Sequence, residues 1–285
     1  MLKGIFKSSG TFSKLLLLIL LLLFFAVLGM LVIKFTIGDS GDIQIIKINQ
    51  LLLSFFTLLF PPVLAGYLWY EKPISAYYLD KLPSLKMAVL SIILIFVLSP
   101  FINLLAFINE QMTFPPFFAE MEKFFLEMET GATELTKQML NVDSFNGLMF
   151  NLLVMAVMPA LGEEIFCRGA LLNIFSENRN KYVAIWVVAI IFSLIHFQMY
   201  GFLPRMLLGA LLGYLLVWSG SLWLPILVHF INNASIVLIS YFGKENGTLD
   251  TLENLGKAET WGYGIASAVV SAVIILWIVR SGKTT

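Results

Sequence analysis

Residues 15–33 read LLLLILLLLFFAVLGMLVI, a run of 19 residues with no charged side chain. A run of about 17–25 apolar residues is long enough to cross a bilayer as a helix. Lys3, Lys7 and Lys14 precede it, as in a secretory signal peptide. The run is longer than the roughly 7–15 apolar residues of a cleaved signal, and no A-x-A site follows. We therefore predict an uncleaved first transmembrane helix.

The composition of the whole chain is that of a protein that crosses the membrane several times. Of its 285 residues, 59% are hydrophobic and 13% are charged, whereas soluble domains have about 25% charged residues. The 18 basic and 18 acidic residues balance, so no basic field favours nucleic-acid binding. The single cysteine excludes an intrachain disulfide. We predict an all-α polytopic membrane protein, a bundle of about eight transmembrane helices that forms one domain over residues 1–285.

Eight apolar segments are candidates for the transmembrane helices. They are Leu15–Ile33, Ile48–Tyr70, Met87–Ile108, Phe145–Leu161, Tyr182–Phe197, Arg205–Trp218, Leu222–Tyr241 and Trp261–Val279. The positive-inside rule favours cytoplasmic termini, because 11 of the 18 basic residues then lie inside, while 13 of the 18 acidic residues lie outside. The polar segment Asn109–Ser144 contains an amphipathic helix after Pro115 and Pro116. We favour an interfacial helix on the outer surface over a substrate-binding lid.

Charged residues follow directly on the fourth apolar segment. Charge in a bilayer costs about 2.5–3.5 kcal/mol per group on insertion scales, so Glu163, Glu164 and Arg168 are functional candidates. Glu164 and Arg168 are four residues apart and can pair on one helical face. Glu163 points about 100° away and is free to face a cavity as a general base. The alternative is an ordinary charge cluster at the cytoplasmic end of the helix. Cys167 is disfavoured as a nucleophile, because the neighbouring carboxylates oppose formation of its thiolate.

The only two histidines lie in later apolar segments. His196 follows Phe192 by four residues, and His229 precedes Asn233 by four, so each pair shares a helical face. Asn232 neighbours that face too, and spacing does not separate it from Asn233. Structural core histidines are the alternative. A glutamate and a histidine can hold and deprotonate a water molecule, while histidine and asparagine donors stabilise an oxyanion. The pattern therefore predicts hydrolysis by an activated water.

Three motifs occur in order on separate segments: Glu163-Glu164-x-x-x-Arg168, Phe192-x-x-x-His196 and His229-x-x-x-Asn233. This order resembles the CPBP family of intramembrane endopeptidases, which includes type II CAAX prenyl proteases, Abi proteins and proteins like lysostaphin resistance protein A. The signature covers about residues 145–241, a third of the chain.

The resemblance implies a role for each motif residue. It assigns Glu163 as the general base that activates water, with His196 helping to position that water. The other implied roles are the oxyanion side for His229 and Asn233, and support for Glu164 and Arg168. The resemblance also implies an eight-helix bundle with a conical cavity open toward the cytoplasm and the lipid.

We predict catalysis without a cofactor. Zinc is the alternative, since Glu163, His196 and His229 would supply three ligands, although the H-E-x-x-H pattern is absent. The predicted partners are the lipid bilayer and a membrane-associated protein or peptide substrate, in a bacterial plasma membrane. Eukaryotic relatives cleave prenylated CAAX proteins, and a peptide, bacteriocin or signalling precursor is an equal candidate. A transporter or an immunity-type membrane protein is the non-enzymatic alternative, but the two-fold repeat of many transporters is absent from the sequence.

Overall fold

The computed structural model describes residues 2–38, 40–177, 179–244 and 247–282, and within these ranges all regular structure is helical. The helices are α1 Thr11–Thr36, α2 Ile43–Trp69, α3 Pro73–Ala76, α4 Leu85–Glu110, α5 Ala119–Leu140, α6 Phe145–Ser176, α7 Lys181–Leu194, α8 Phe202–Ser219, α9 Trp223–Phe242, α10 Thr248–Asn254 and α11 Trp261–Gly282. Short 3₁₀ turns lead into three of them, at Pro116–Phe118, Met199–Gly201 and Ala258–Thr260.

Eight helices of this set are apolar enough to belong to the membrane. In the part of the chain that the structure describes, seven helices are long enough to span it, and the 14-residue α7 is shorter. The seven are α1, α2, α4, α6, α8, α9 and α11. The predicted fold class, an all-α polytopic membrane protein, is therefore confirmed.

The predicted end of the fourth segment is wrong. The prediction stopped at Leu161 because charged residues follow, but α6 continues to Ser176. Glu163 therefore lies 13 residues before the end of the helix, which is about 20 Å along the axis. Two π-helical turns, Leu152–Val157 and Ile165–Leu171, flank the intervening α-helical stretch. The helix can continue because its buried charges have partners within the bundle, as described below.

The fifth helix ends earlier than predicted. The prediction placed His196 within a helix that ran to Phe197, whereas α7 ends at Leu194. Phe197 has a φ of +54°, in the left-handed region that non-glycine residues rarely adopt. The backbone therefore leaves the helical path at this point, and His196 lies in the turn that follows α7.

The side chain of Tyr77 ties α6 to α2. Its hydroxyl donates a hydrogen bond to the carbonyl oxygen of Pro62 at 2.8 Å. A Cβ atom on Gly66 would lie 2.7 Å from Cζ of the ring, and one on Gly169 would lie 3.1 Å from its Cδ2. Glycine at these two positions leaves space for the ring, so α6 is held at a fixed distance from α2.

Two glycines of α8, Gly209 and Gly213, allow close packing against α7. A Cβ on Gly213 would lie 2.9 Å from Cγ2 of Ile185, and one on Gly209 would lie 3.1 Å from Cδ1 of Phe192. Small residues let helix backbones approach closely in a bilayer. The close pairing of α7 with α8 places Phe192, and the turn after it, next to the residues of α8.

The amphipathic helix α5 lies against α2, α9 and the turn Met199–Gly201. The hydroxyl of Tyr200 in that turn donates to Oε1 of Glu122 at 3.5 Å. Burial raises the pKa of the Glu129 carboxyl, and the positive charge of Arg205 partly opposes this. The apolar side chains of Met121 and Phe124 remain exposed, as an interfacial helix requires. Whether α5 is such a helix or a lid stays a prediction.

Candidate active site

A cavity of about 410 Å³ lies between α4, α6, α8, α9 and the turn after α7. Its lining includes the polar side chains of Glu163, His196, Arg205, His229, Asn232 and Asn233. The structure thus brings together the four residues predicted to be catalytic, from three separate segments of the chain. The residues predicted to support them, Glu164 and Arg168, lie behind this lining.

Glu164 joins two of the motifs. Its Oε1 atom lies 2.8 Å from Nη1 of Arg168 and 2.8 Å from Nδ1 of His229. The carboxylate is fully buried and Arg168 is 1% exposed. The predicted pairing of Glu164 with Arg168 is confirmed. The bond to His229 is a contact that the sequence did not indicate, and it fixes the orientation of the imidazole.

Arg168 also connects α6 to α7 and α8. Its Nη2 donates to the carbonyl oxygen of Gly209 at 2.6 Å, and the guanidinium carbon lies 5.2 Å from the centre of the Phe192 ring. A guanidinium can combine a bidentate pattern of hydrogen bonds with stacking on an aromatic face. One buried cation therefore holds three elements of the site in place.

The hydrogen bond of His196 defines its tautomer. Nδ1 lies 2.7 Å from the carbonyl oxygen of Phe192, and a carbonyl oxygen can only accept a hydrogen bond. Nδ1 therefore carries the hydrogen, and Nε2 of the neutral ring is an acceptor. Since His196 lines the cavity, this nitrogen is available to a bound water.

His229 is the residue that links the cavity to the buried charges. Its Nε2 lies 3.9 Å from Oε2 of Glu163, while its Nδ1 contacts Glu164 as described above. The two adjacent glutamates thus have different surroundings: the Glu164 side chain is fully buried, whereas that of Glu163 is 16% exposed and lines the cavity. This is the separation that their positions on a helix predict.

Asn232 and Asn233 both line the cavity. Nδ2 of Asn232 donates to Oδ1 of Asn233 at 3.2 Å, which orients the amide of Asn233. Asn233 therefore keeps its own Nδ2 group as a donor. The two asparagines therefore differ: Asn232 uses its amide donor within the protein, and that of Asn233 is directed by this bond.

Arg205 belongs to the cavity but was not among the predicted site residues. Its Nη1 donates to the backbone oxygen of Gln198 at 3.2 Å, and its Nη2 donates to Oε1 of the same residue at 2.8 Å. Gln198 follows His196 by two residues, so Arg205 stabilises the turn that carries the histidine. The sequence contained one indication of this role, because Arg205 is the single charged residue of the predicted segment Arg205–Trp218 and lies at its start.

Cys167 is buried, with 1% of its surface exposed, and is not part of the cavity lining. Among the described residues, no three His, Cys, Asp or Glu side chains are arranged to hold a metal ion. The alternative zinc ligands Glu163, His196 and His229 therefore do not form a metal site in this conformation, and metal independence stays a prediction.

Residues 145–235 match the family model described as "Rce1-like: Type II CAAX prenyl endopeptidase Rce1-like". The matched segment begins with α6, ends within α9 and contains all of the motif residues. The match confirms the resemblance to CAAX-type proteases and supports an intramembrane endopeptidase. No match was found among curated proteins or among solved structures.

Proposed function

We propose that this protein hydrolyses a peptide bond of a membrane-associated protein or peptide, with water as the nucleophile and no resident metal. The observation that supports this most directly is the shared cavity, which Glu163, His196 and His229 all face. Acid, base and oxyanion-stabilising groups must surround one point for such a reaction. The remaining assignments are based on the hydrogen bonds of the two histidines and of Asn233.

Glu163 acts as the base in the first step. The oxygen of a bound water attacks the carbonyl carbon of the scissile bond, and the Glu163 carboxylate accepts a proton from that water. His196 accepts a second hydrogen bond from the water through Nε2, because its Nδ1–H already donates to Phe192. This hydrogen bond directs a lone pair of the water toward the carbonyl carbon.

The carbonyl oxygen becomes negatively charged in this step and needs donors. His229 donates Nδ1–H to Glu164, so donation from Nε2 to the oxyanion requires the doubly protonated ring. With His229 doubly protonated, Arg168 and His229 balance the carboxylates of Glu163 and Glu164 before the attack. After the attack Glu163 is protonated and neutral, and the oxyanion carries the negative charge in its place, so the cluster stays neutral throughout. Asn233 provides the second donor. Donors that are held in place before the reaction are the largest single source of stabilisation in such sites.

The second step completes the hydrolysis. The bond between carbon and nitrogen breaks, Glu163 returns its proton to the leaving nitrogen, and the new carboxyl group leaves the site. No bond to the protein forms at any stage, so the reaction does not use Cys167.

The proposed location is the plasma membrane of a bacterium, with both termini in the cytoplasm. The excess of basic residues on the side of the termini supports this orientation. The proposed substrate is membrane-associated.

The test uses purified protein in lipid vesicles and a randomised library of quenched fluorescent peptides with an N-terminal palmitoyl anchor. General acid–base catalysis contributes about 10²–10⁴-fold, so Glu163→Gln and His196→Ala should each lower cleavage at least 100-fold. Glu127→Gln, at an exposed position on α5, is the matched control and should cleave normally.

Two results would change the proposal. Loss of cleavage on chelation, with recovery on adding zinc, would replace water activation by Glu163 with the zinc-dependent version. Solute flux into the vesicles without any cleavage product would indicate a transporter.

A further inference from the structure

A second cavity of about 680 Å³ adjoins the candidate active site. The two share Ile95, Arg205, Leu208 and Asn232 in their linings. The second cavity runs between α4, α8 and α9, away from Glu163 and toward the chain segment that joins α9 to α11. The two cavities therefore form one continuous path that begins at the catalytic residues.

The far end of the second cavity lies under α10. Asn103 on α4 donates two hydrogen bonds from Nδ2, to the carbonyl oxygens of Leu252 at 2.8 Å and Leu255 at 2.9 Å. An ion pair between Lys257 and Glu110, with 3.3 Å between nitrogen and oxygen, fastens the segment that follows. The helix α10 is thus held across α4 as a roof over this end.

The lining of the second cavity suits a polypeptide better than a lipid tail. Ser99 and Asn103 on α4 face the same space as Asn232 and Ser235 on α9. An acyl chain forms no hydrogen bonds, whereas an extended peptide within a bilayer must pair its backbone N–H and C=O groups. The Nδ2 groups of Asn103 and Asn232 already donate within the protein. Their amide oxygens, and the hydroxyl oxygens of Ser99 and Ser235, can accept hydrogen bonds from the N–H groups of a bound chain.

The length of the second cavity can be read from α4. Ile95 and Ala106 both line it, and their 11 residues of separation correspond to about 16 Å of helix. An extended chain covers about 3.3–3.6 Å per residue. The cavity therefore accommodates about five residues in extended form.

We propose that the second cavity binds the substrate chain on one side of the scissile bond, as an extended segment of about five residues whose end reaches the roof formed by α10. This proposal rests on the endopeptidase function above. Arg205 stands where the two cavities meet, so the substrate residue next to the scissile bond is neutral or acidic, since a basic side chain would face a like charge.

The position of the roof determines the side of the membrane on which the bound segment lies. The roof lies on the side of the bundle where α4 and α9 end, which is opposite to both termini. If the termini are cytoplasmic, this substrate segment lies toward the outer face. The resemblance to the CPBP family implies a cavity open toward the cytoplasm. The orientation given by the positive-inside rule instead places the second cavity toward the outer face.

The test fills the second cavity at two depths. Ser99→Trp narrows it about 6 Å beyond Ile95, and Ala106→Trp narrows it at about 16 Å. Ala272→Trp is the matched control, because Ala272 lines a third, apolar cavity of about 300 Å³ between α4, α7, α8 and α11, which shares no lining residue with the second cavity. Each variant is given palmitoylated peptides with one common cleaved sequence and tails of increasing length, extended in one series before the scissile bond and in another after it.

In one of the two series, Ser99→Trp should lower kcat/KM at least about tenfold for tails longer than about two residues, because steric exclusion of this kind discriminates about 10–200-fold. Ala106→Trp should do so only for tails longer than about five residues. Ala272→Trp should change neither series. An effect that is equal at all tail lengths, or no effect in either series, overturns the proposal for the second cavity. Absence of cleavage by the unsubstituted protein overturns the endopeptidase function itself, so the two failures are distinct.

Discussion

Replacing Glu164 by Gln separates its contribution to folding from its contribution to catalysis. The substitution keeps the shape of the side chain but removes the charge that Arg168 and His229 share, each at 2.8 Å. Arg168 is 1% exposed, so it would lose the only carboxylate among the described residues that is shown in direct contact with it. Removing one partner of a buried ion pair costs about 3–5 kcal/mol of stability, and we expect a loss of that size for Glu164→Gln.

A second substitution should restore stability without restoring catalysis. In Glu164→Gln combined with Arg168→Met, neither buried charge remains, and such uncharged replacements are often neutral or better. We therefore expect most of the lost free energy to return. Cleavage should stay at least about 100-fold below that of the original protein, because no carboxylate then orients His229 or supports its doubly protonated form.

The assay measures both quantities on the same preparations. Unfolding free energy is obtained from denaturant titration in detergent micelles, and cleavage from the palmitoylated peptides in vesicles. A loss below about 1 kcal/mol in Glu164→Gln would show that the pair is not a structural requirement. Recovery of cleavage together with stability in the double variant would refute the role of Glu164 in orienting the histidine.

Three further predictions concern packing, pH and the thiol. Gly213→Leu should force α7 and α8 apart and lower the unfolding free energy by about 1–3 kcal/mol, whereas Gly262→Leu, with open space around its Cβ position, should change it by less than about 0.5 kcal/mol. Burial raises the pKa of the Glu129 carboxyl above its usual value of 4.5. Between these two pKa values the folded state holds a proton that the unfolded state has lost, so docking of α5 should weaken as the pH rises from 4.5 through the raised pKa. Hydrogen exchange of α5 should show this slope in the original protein and in Glu127→Gln but not in Glu129→Gln. Cys167→Ala should retain cleavage, and complete loss of activity would restore the thiol as a candidate nucleophile.

The sequence was sufficient for those parts of the site that depend on helical spacing. Glu164 and Arg168 pair as their separation of four residues predicts, and Glu163 faces elsewhere for the same reason. The bond from Glu164 to His229 joins residues 65 positions apart, and no local pattern encodes a contact of that range. Arg205 was overlooked for a similar reason, since only the folded turn after α7 gives it a partner.

The ends of α6 and α7 were mispredicted because hydropathy was treated as a proxy for helix length. Hydropathy falls where Glu163 and Glu164 begin, but the helix continues because other helices supply partners for its charges. At the end of α7 the opposite occurs: apolar residues continue on both sides of His196, at Ile195 and Phe197, yet the backbone turns. In both cases the end of the helix was predicted from composition, whereas contacts with other parts of the fold determine where the helix ends.

The brevity of α7 has a consequence for the surrounding membrane. Its 14 residues extend about 21 Å, whereas the hydrocarbon layer of a typical bilayer is about 30 Å thick. The difference of about 9 Å is expected to thin the bilayer beside this helix, at a cost of fractions of a kcal/mol per Å. Such thinning would bring the headgroup region, and water with it, closer to the turn that carries His196. The acyl chain length of the host membrane thereby becomes a determinant of how readily the site is hydrated.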